Sequence, residues 1–303
     1  MGLPSISICI LNYNYGRYLG QAIDSALRQE PGAYRIEEVI VVDDGSTDDS
    51  MEVCAHYGDR ITVLRRKHQG FGAVLTAAVR AARGDWIATL DADDWFTEDK
   101  LATAAQFMSG ECHLIQHWEH VVGTDGLPLV SMPHPGGNTS TLLVRRAAAL
   151  DLLPVSNEAF FHVFDYLGFG VKLTDPLVNY RLHDANMTDR TNPGIFQDYL
   201  ANVDRDIAGR LRELSFSPPS WSSDRPLRRL SRHFSATARG HIREAAVQRG
   251  ERAAALTAWA GEMCMAIAAR RTFTPHFAGA KSVLHMEPLV IVGRPPERTT
   301  GTN

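Results

Sequence analysis

Two apolar runs in this chain end abruptly in carboxylates, and no other feature constrains the fold as tightly. The first is Val39-Ile40-Val41-Val42, followed at once by Asp43-Asp44-Gly45-Ser46-Thr47. An unbroken β-branched run predicts a strand buried on both faces. Asp, Gly, Ser and Thr after it predict a tight turn and then a helix N-cap. The second run, Trp86 to Leu90, ends in Asp91-Ala92-Asp93-Asp94. Both acidic clusters therefore fall at the carboxyl ends of strands, where open α/β sheets bind their ligands.

Strands and helices alternate around these runs. Ser5 to Leu11 reads as a first strand, broken by Asn12-Tyr13-Asn14-Tyr15-Gly16. Tyr18, Leu19, Ala22, Ile23, Ala26 and Leu27 then recur at helical spacing. Further strands are expected over 38–42, 61–64 and 86–90, with helices over 48–57 and 73–82. Gly70 and Gly72 open the second of these helices and Gly84 stops it. Such alternation implies right-handed crossovers and a mostly parallel, Rossmann-like sheet flanked by helices. Beyond Trp95 the pattern loosens. Helices are expected over 100–107, 146–152 and 158–167, and strands over 113–122, 141–144 and 171–182. Asp125-Gly126 predicts a hairpin turn back into Leu129-Val130, and Pro133 to Ser140 a loop.

From Ile195 the composition shifts to Arg and Ala. Two or three helices are expected to about Arg271, with a break over 215–225, and a strand near 289–292. The expected division is 1–193 as the main domain, 194–292 as a helical C-terminal appendage and 293–303 as a flexible tail. In the appendage Leu227, Leu230, Phe234 and Ala238 share one helical face among many arginines. A basic amphipathic helix of this kind covers a core, forms a homodimer interface or lies on an anionic membrane.

Composition excludes several classes. The 303 residues are 44% hydrophobic, so a large core is attainable and global disorder is not expected. A net charge of −4 argues against a binder of nucleic-acid phosphates. Cys9, Cys54, Cys112 and Cys264 lie far apart with no CxxC pair, which argues against a zinc site or disulfide scaffold and fits a reducing cytoplasm. The N-terminal run reads as a strand rather than a signal peptide. No apolar run approaches the length of about 18 residues that spans a bilayer. The expected location is cytoplasmic, with peripheral membrane contact left open.

Asp43, Asp44, Asp91, Asp93 and Asp94 facing one crevice would repel each other unless a cation or a donor-rich ligand sits among them. An Asp-x-Asp pair on a turn offers hard oxygen ligands to Mg²⁺ or Mn²⁺ that also binds diphosphate. The bland alternative for either cluster alone is a helix cap with solvated acids.

Taken together, these motifs resemble the family 2 glycosyltransferases of GT-A fold, which use nucleotide-diphosphate sugars. The resemblance is carried by Ser7 to Asn14, Ile40 to Asp48, Gly70-Phe71-Gly72-Ala73 and Leu90 to Asp94, and more weakly by Tyr180-Arg181-Leu182-His183. It implies that Leu11 and Tyr13 hold the nucleobase and that Asp44 accepts from a base N–H, as suits uracil or thymine. It places Asp43 near the ribose or in a structural role. Asp91 and Asp93 match the family's DxD, with Asp91 on the ribose and Asp93 on a divalent metal, Mn²⁺ or Mg²⁺. Asp94 and His183 are further metal candidates, and Arg181 a partner for the diphosphate. Gly70 and Gly72 would let the backbone approach the nucleotide, or serve only helix entry and packing.

One departure stands out. The general base of inverting members falls at Asn157, which has no basic group, while Glu158 is adjacent and a one-residue step turns about 100° around a helix. Either Glu158 substitutes as the catalytic base, or a histidine does, or the acceptor needs little help, with Asp165 two turns on a poorer candidate; Glu158 is the residue named for the role. The implied function is metal-assisted, inverting sugar transfer from a UDP or dTDP donor to an unknown acceptor hydroxyl. The alternative is a sugar-nucleotide-binding or scaffold protein that keeps the fold without the transfer. A dinucleotide-dependent oxidoreductase finds no support, because no G-x-G-x-x-G follows the first strand.

Overall fold

The structure, a computed structural model, describes residues 2–108, 110–183 and 193–269. It divides into two compact units, Met1–Met187 with Pro219–Ser222, and Thr188–Pro218 with Ser223–Asn303. The expected strand at 289–292, the tail and most of the loop 183–193 lie outside the described residues.

The first unit alternates as the sequence predicts: β1 (Ser5–Asn12), α1 (Gly16–Leu27), β2 (Arg35–Asp43), α2 (Ser50–Ala55), β3 (Thr62–Arg65), α3 (Phe71–Ala81) and β4 (Trp86–Asp91). Next come β5 (Trp95–Phe96), α4 (Lys100–Ala105), β6 (Leu114–Val122), β7 (Leu142–Arg145), α5 (Arg146–Leu152), α6 (Val163–Tyr166) and β8 (Gly170–Arg181). One eight-stranded sheet runs in the order β3-β2-β1-β4-β7-β6-β8-β5. The β3-β2-β1-β4 half is wholly parallel. Antiparallel pairing is confined to the other half, at β4 with β7, β6 with β7, and β5 with β8. The two-residue strand β5 is too short to leave a periodic trace in the sequence.

β1 and β4 are buried throughout apart from Asp91, and β2 from Val39 onward. Ile6, Ile8, Ile10, Val41, Trp86, Ala88 and Leu90 line a core that α1 closes with Leu19, Ala22, Ile23 and Ala26. Full burial of each large aliphatic side chain contributes roughly 1.5–3 kcal/mol against the entropy of ordering the chain. Register then fixes the site. β1 lies between the two acid-terminated strands, with Asn12 beside Asp43 and Leu11 beside Asp91.

The region after β6 departs from the expected hairpin. The chain does turn back at Gly126, where φ is +79°, but it pairs only through isolated bridges, Val122 with Pro128 and Glu119 with His134. The expected helix over 158–167 is a 3₁₀ turn, Glu158–His162, followed by α6. Trp221 accounts for the break over 215–225 within this unit. Its indole N–H donates to Asp151 at 2.8 Å, and its ring meets Phe164 edge-on at 5.1 Å.

The second unit is helical, with α7 (Pro193–Leu214), α8 (Asp224–Gln248) and α9 (Arg252–Ala269). Leu227, Leu230, Phe234 and Ala238 are all buried inside it, so the apolar face of α8 is already covered within the unit. Arg243, one of the arginines expected on a basic face, is instead buried between Glu262 at 2.6 Å and Glu244 at 2.8 Å. Among the described residues no helix is long and apolar enough to cross a membrane.

Candidate active site

The carboxyl ends of β2, β1 and β4 gather the strand-end acids. Asp43 is fully buried, and its carboxylate accepts from the Gly45 and Ser46 backbone N–H groups and from the Asn12 amide at 2.9 Å. Those bonds define the turn and tie Asp43 to its own loop. Asn14, in left-handed backbone with φ +59°, accepts from Thr47 N–H at 2.8 Å, and Gly16 N–H donates to Asp48. The Asn-Tyr-Asn-Tyr-Gly loop and the Asp-Asp-Gly-Ser turn are thus one hydrogen-bonded block that presents Tyr13, 40% exposed, at the surface.

Asp44 faces the other way. Its carboxylate accepts from Gly70 N–H at 2.8 Å and Gln69 N–H at 3.1 Å, and stands 2.9 Å from His68 Nδ1. It therefore anchors the loop between β3 and α3. Gly70 has φ +87° and open space around its Cα, as the first expectation for it requires. Gly72 differs. A Cβ there would lie 2.7 Å from the Ser156 Cα and 2.8 Å from the Val155 and Ser156 carbonyl oxygens. The absence of a side chain at Gly72 lets α3 meet the segment leading to Glu158, the packing use that the sequence offers as one of two for this glycine.

The second cluster is held from behind. Asp91 N–H donates to Ser140 Oγ at 2.9 Å, and Lys100 Nζ donates to the Ser140 carbonyl at 2.7 Å. Lys100 is wholly buried over the Phe96 ring, and burial drives its pKa well down against the opposing charge of Asp94. Ser140, expected at the end of a loop, is a strut for Asp91. A lone lysine at a helix start gave no hint of this role.

Arg181 also departs from expectation. Its guanidinium donates to the Asp93 carbonyl, the Thr124 carbonyl and the Gln21 side chain, and lies over the rings of Tyr18 and Trp95. Its backbone N–H donates to Asp94 Oδ1 at 2.8 Å. Only 4% exposed, Arg181 directs its donors at protein acceptors and clamps the acid turn to the end of β8. His183, two residues on, has Nε2 3.0 Å from Asp93 Oδ2 and its ring packed against Tyr15 and Tyr18.

Electrostatics mark the cluster. Burial, then the charges of Asp93 and Glu158, push the Asp91 carboxyl well above the usual range. Burial, then Asp93 and Asp91, do the same to Asp94. Tyr15, a loop residue by sequence, has its hydroxyl pushed upward by burial and by Asp93, Asp91 and Asp94. Glu158 is partly buried, and desolvation raises its carboxyl to about 7. Asn157 serves the backbone instead. Its side-chain oxygen accepts from Ala159 N–H at 2.7 Å and caps the 3₁₀ turn. The adjacent pair therefore has two roles, with Asn157 capping and Glu158 within electrostatic reach of Asp91.

These residues suit a hard divalent ion. Asp91, Asp93 and Asp94 offer carboxylate oxygens and His183 an imidazole, and Asp94 Oδ2 is buried with no hydrogen-bond partner among the described residues. No group of three or more His, Cys, Asp or Glu side chains forms a ready cage among the described residues. An ion held here would take the rest of its coordination from a ligand, as Mg²⁺ and Mn²⁺ do at phosphates.

Acids at the carboxyl ends of strands in an open α/β sheet mark its ligand-binding end. The family profile described as glycosyl transferase family 2 matches residues 7–133, and over that stretch the chain is similar to that family. A glycosyltransferase of Nostoc sp. is 30% identical over 214 residues, covering 60% of this chain and 66% of that protein. Chondroitin synthase of Escherichia coli is 37% identical over 100 residues, 32% of this chain and 14% of the synthase. The chain thus spans less than two thirds of these relatives. Among solved structures, S. aureus TarS superposes with a TM-score of 0.59 at 16% identity over 93% of this chain and 53% of TarS. Its 1–349 fragment in complex with UDP-GlcNAc gives 0.54 at 16% identity over 89% and 93% of the two chains. This likeness is one of fold.

Proposed function

We propose that the chain transfers a sugar from a UDP- or dTDP-linked donor to an acceptor hydroxyl, with inversion at the anomeric carbon. The observation that carries this reading is convergence. Glu158, from a different part of the chain, lies within electrostatic reach of Asp91, and His183 comes to 3.0 Å from Asp93 in the same acid turn.

In this reading Tyr13 stacks on the nucleobase, Asp44 accepts its N–H, and Asp91 takes the ribose. Asp93, Asp94 and His183 would hold a divalent ion, Mn²⁺ or Mg²⁺, which neutralises charge on the leaving diphosphate. Glu158 removes the acceptor proton while the acceptor oxygen bonds to the anomeric carbon. The bond from that carbon to the diphosphate oxygen breaks on the opposite face, and its electron pair leaves with the diphosphate. A carboxyl raised to about 7 suits a general base at neutral pH. The TarS complex with UDP-GlcNAc is in keeping with a uridine donor on this fold.

The test is nucleoside diphosphate release from a panel of UDP- and dTDP-sugars with Mn²⁺ and an acceptor pool. Acceptor-dependent release supports the reading. Donor binding without transfer would instead favour the scaffold alternative that Asn157 raises.

A further inference from the structure

His68, on the loop after β3, has no place in the transfer scheme above, yet it touches both residues that the scheme gives to the nucleobase. Its ring lies flat on Tyr13, with centroids 4.1 Å apart and planes 19° from parallel. Its Nδ1 stands 2.9 Å from Asp44 Oδ2. A carboxylate only accepts, so Nδ1 carries the hydrogen in this contact.

A uracil or thymine held at this place would present a flat π face to Tyr13 and a ring N–H to Asp44. The imidazole presents both already. Rings stacked this closely leave no room for a third ring between them. The loop itself does not depend on the imidazole. Gln69 and Gly70 N–H groups bond to Asp44, and Gly45, at φ +81°, lets the turn pack on the backbone of Arg66 and His68. The His68 side chain is 55% exposed, so it has solvent to swing into.

We propose that His68 is an internal surrogate for the nucleobase. It fills the base slot of the free protein, and the donor's base displaces it from Tyr13 and Asp44. The proposal rests on the reading that Tyr13 and Asp44 form the base site. It makes His68 a determinant of affinity, because apparent affinity falls with the fraction of protein whose slot is open. Selectivity stays with Asp44, because the imidazole competes with every base alike: a base with a ring N–H gains both contacts, whereas cytosine, whose corresponding ring nitrogen only accepts, gains one.

Calorimetric titration of the full chain with UDP and CDP in Mn²⁺ tests this on wild type, His68→Ala, His68→Phe and Asp44→Asn. His68→Ala is expected to bind UDP about tenfold more tightly, as an open fraction near one in ten requires. Its preference for UDP over CDP stays that of wild type, because opening the slot scales both affinities alike. His68→Phe, which stacks but cannot hold Asp44, also binds more tightly than wild type and carries the comparison if the alanine variant does not fold. In wild type, the histidine ring resonance that is missing from His68→Ala shifts on adding UDP. Unchanged or weaker UDP binding in both His68 variants overturns the proposal. Failure of the underlying base site shows separately, as UDP binding to Asp44→Asn equal to wild type.

Discussion

The Asp93 carboxylate and the His183 imidazole stand 3.0 Å apart although 90 positions separate them in the chain. β8 brings them together: it pairs with β5, the strand that follows the acid turn, and Arg181 clamps that turn from the end of β8. Both side chains are almost fully buried beside Asp94. His183→Ala should weaken Mn²⁺ binding in the presence of UDP by at least about tenfold. Paramagnetic titration of Mn²⁺ reads this directly, and unchanged affinity would remove His183 from the metal site.

Glu158→Gln should lower turnover by about 10²–10⁴-fold while leaving UDP affinity near wild type. Separate measurement of kcat and of donor binding distinguishes a base from a binding residue. A wild-type rate would exclude Glu158.

The pH dependence follows from the same group. Glu158 acts as a base only when deprotonated, so kcat/KM should rise with pH and level off above about 7. Stability has the opposite sign. The folded state holds a proton that the unfolded chain releases near the ordinary value of 4.5, so this group's contribution falls as pH rises from about 4.5 to about 7. Glu158→Gln should flatten both profiles. A rate profile in wild type without a limb near 7 would contradict the assignment.

Asn157→Ala removes the cap on Ala159 N–H and should cost about 1 kcal/mol of stability, read as a lower denaturation midpoint. Asn157→Asp keeps the cap and should leave stability close to wild type. It should not substitute for Glu158 in a Glu158→Gln background. Recovery of turnover in that double variant would mean that position 157 reaches the acceptor.

Gly72→Ala forces a methyl group onto the backbone at Val155 and Ser156. Overpacking of this kind costs about 1–3 kcal/mol, and the displaced segment leads straight to Glu158. Turnover should therefore fall more than UDP affinity. A larger loss in UDP affinity would restore the nucleotide-approach role expected from sequence.

Much of this was legible before the fold. Val39 to Val42 and Trp86 to Leu90 announce buried parallel strands, because no exposed strand carries so unbroken an apolar run. The acids after them mark the ligand end for the same reason. What the sequence hid was partnership across distance. Arg181 reads as a phosphate ligand until its guanidinium is found committed to Gln21, Asp93 and Thr124. Lys100, Ser140 and Tyr15 carry no local pattern, and their roles exist only once the sheet places them around Asp91 and Asp94. The choice between Asn157 and Glu158 turned on where a short 3₁₀ turn begins, a boundary that periodicity does not resolve.

The central claim is that the strand-end acids form a metal-assisted nucleotide-sugar site. It is tested most directly by titrating UDP into wild type and Asp93→Asn, with Mn²⁺ and again with chelator. Tight binding by wild type in Mn²⁺ is predicted, with comparable weakening by chelator and by Asp93→Asn, both proteins melting alike. Equal UDP affinity in Mn²⁺ for the two proteins would contradict it.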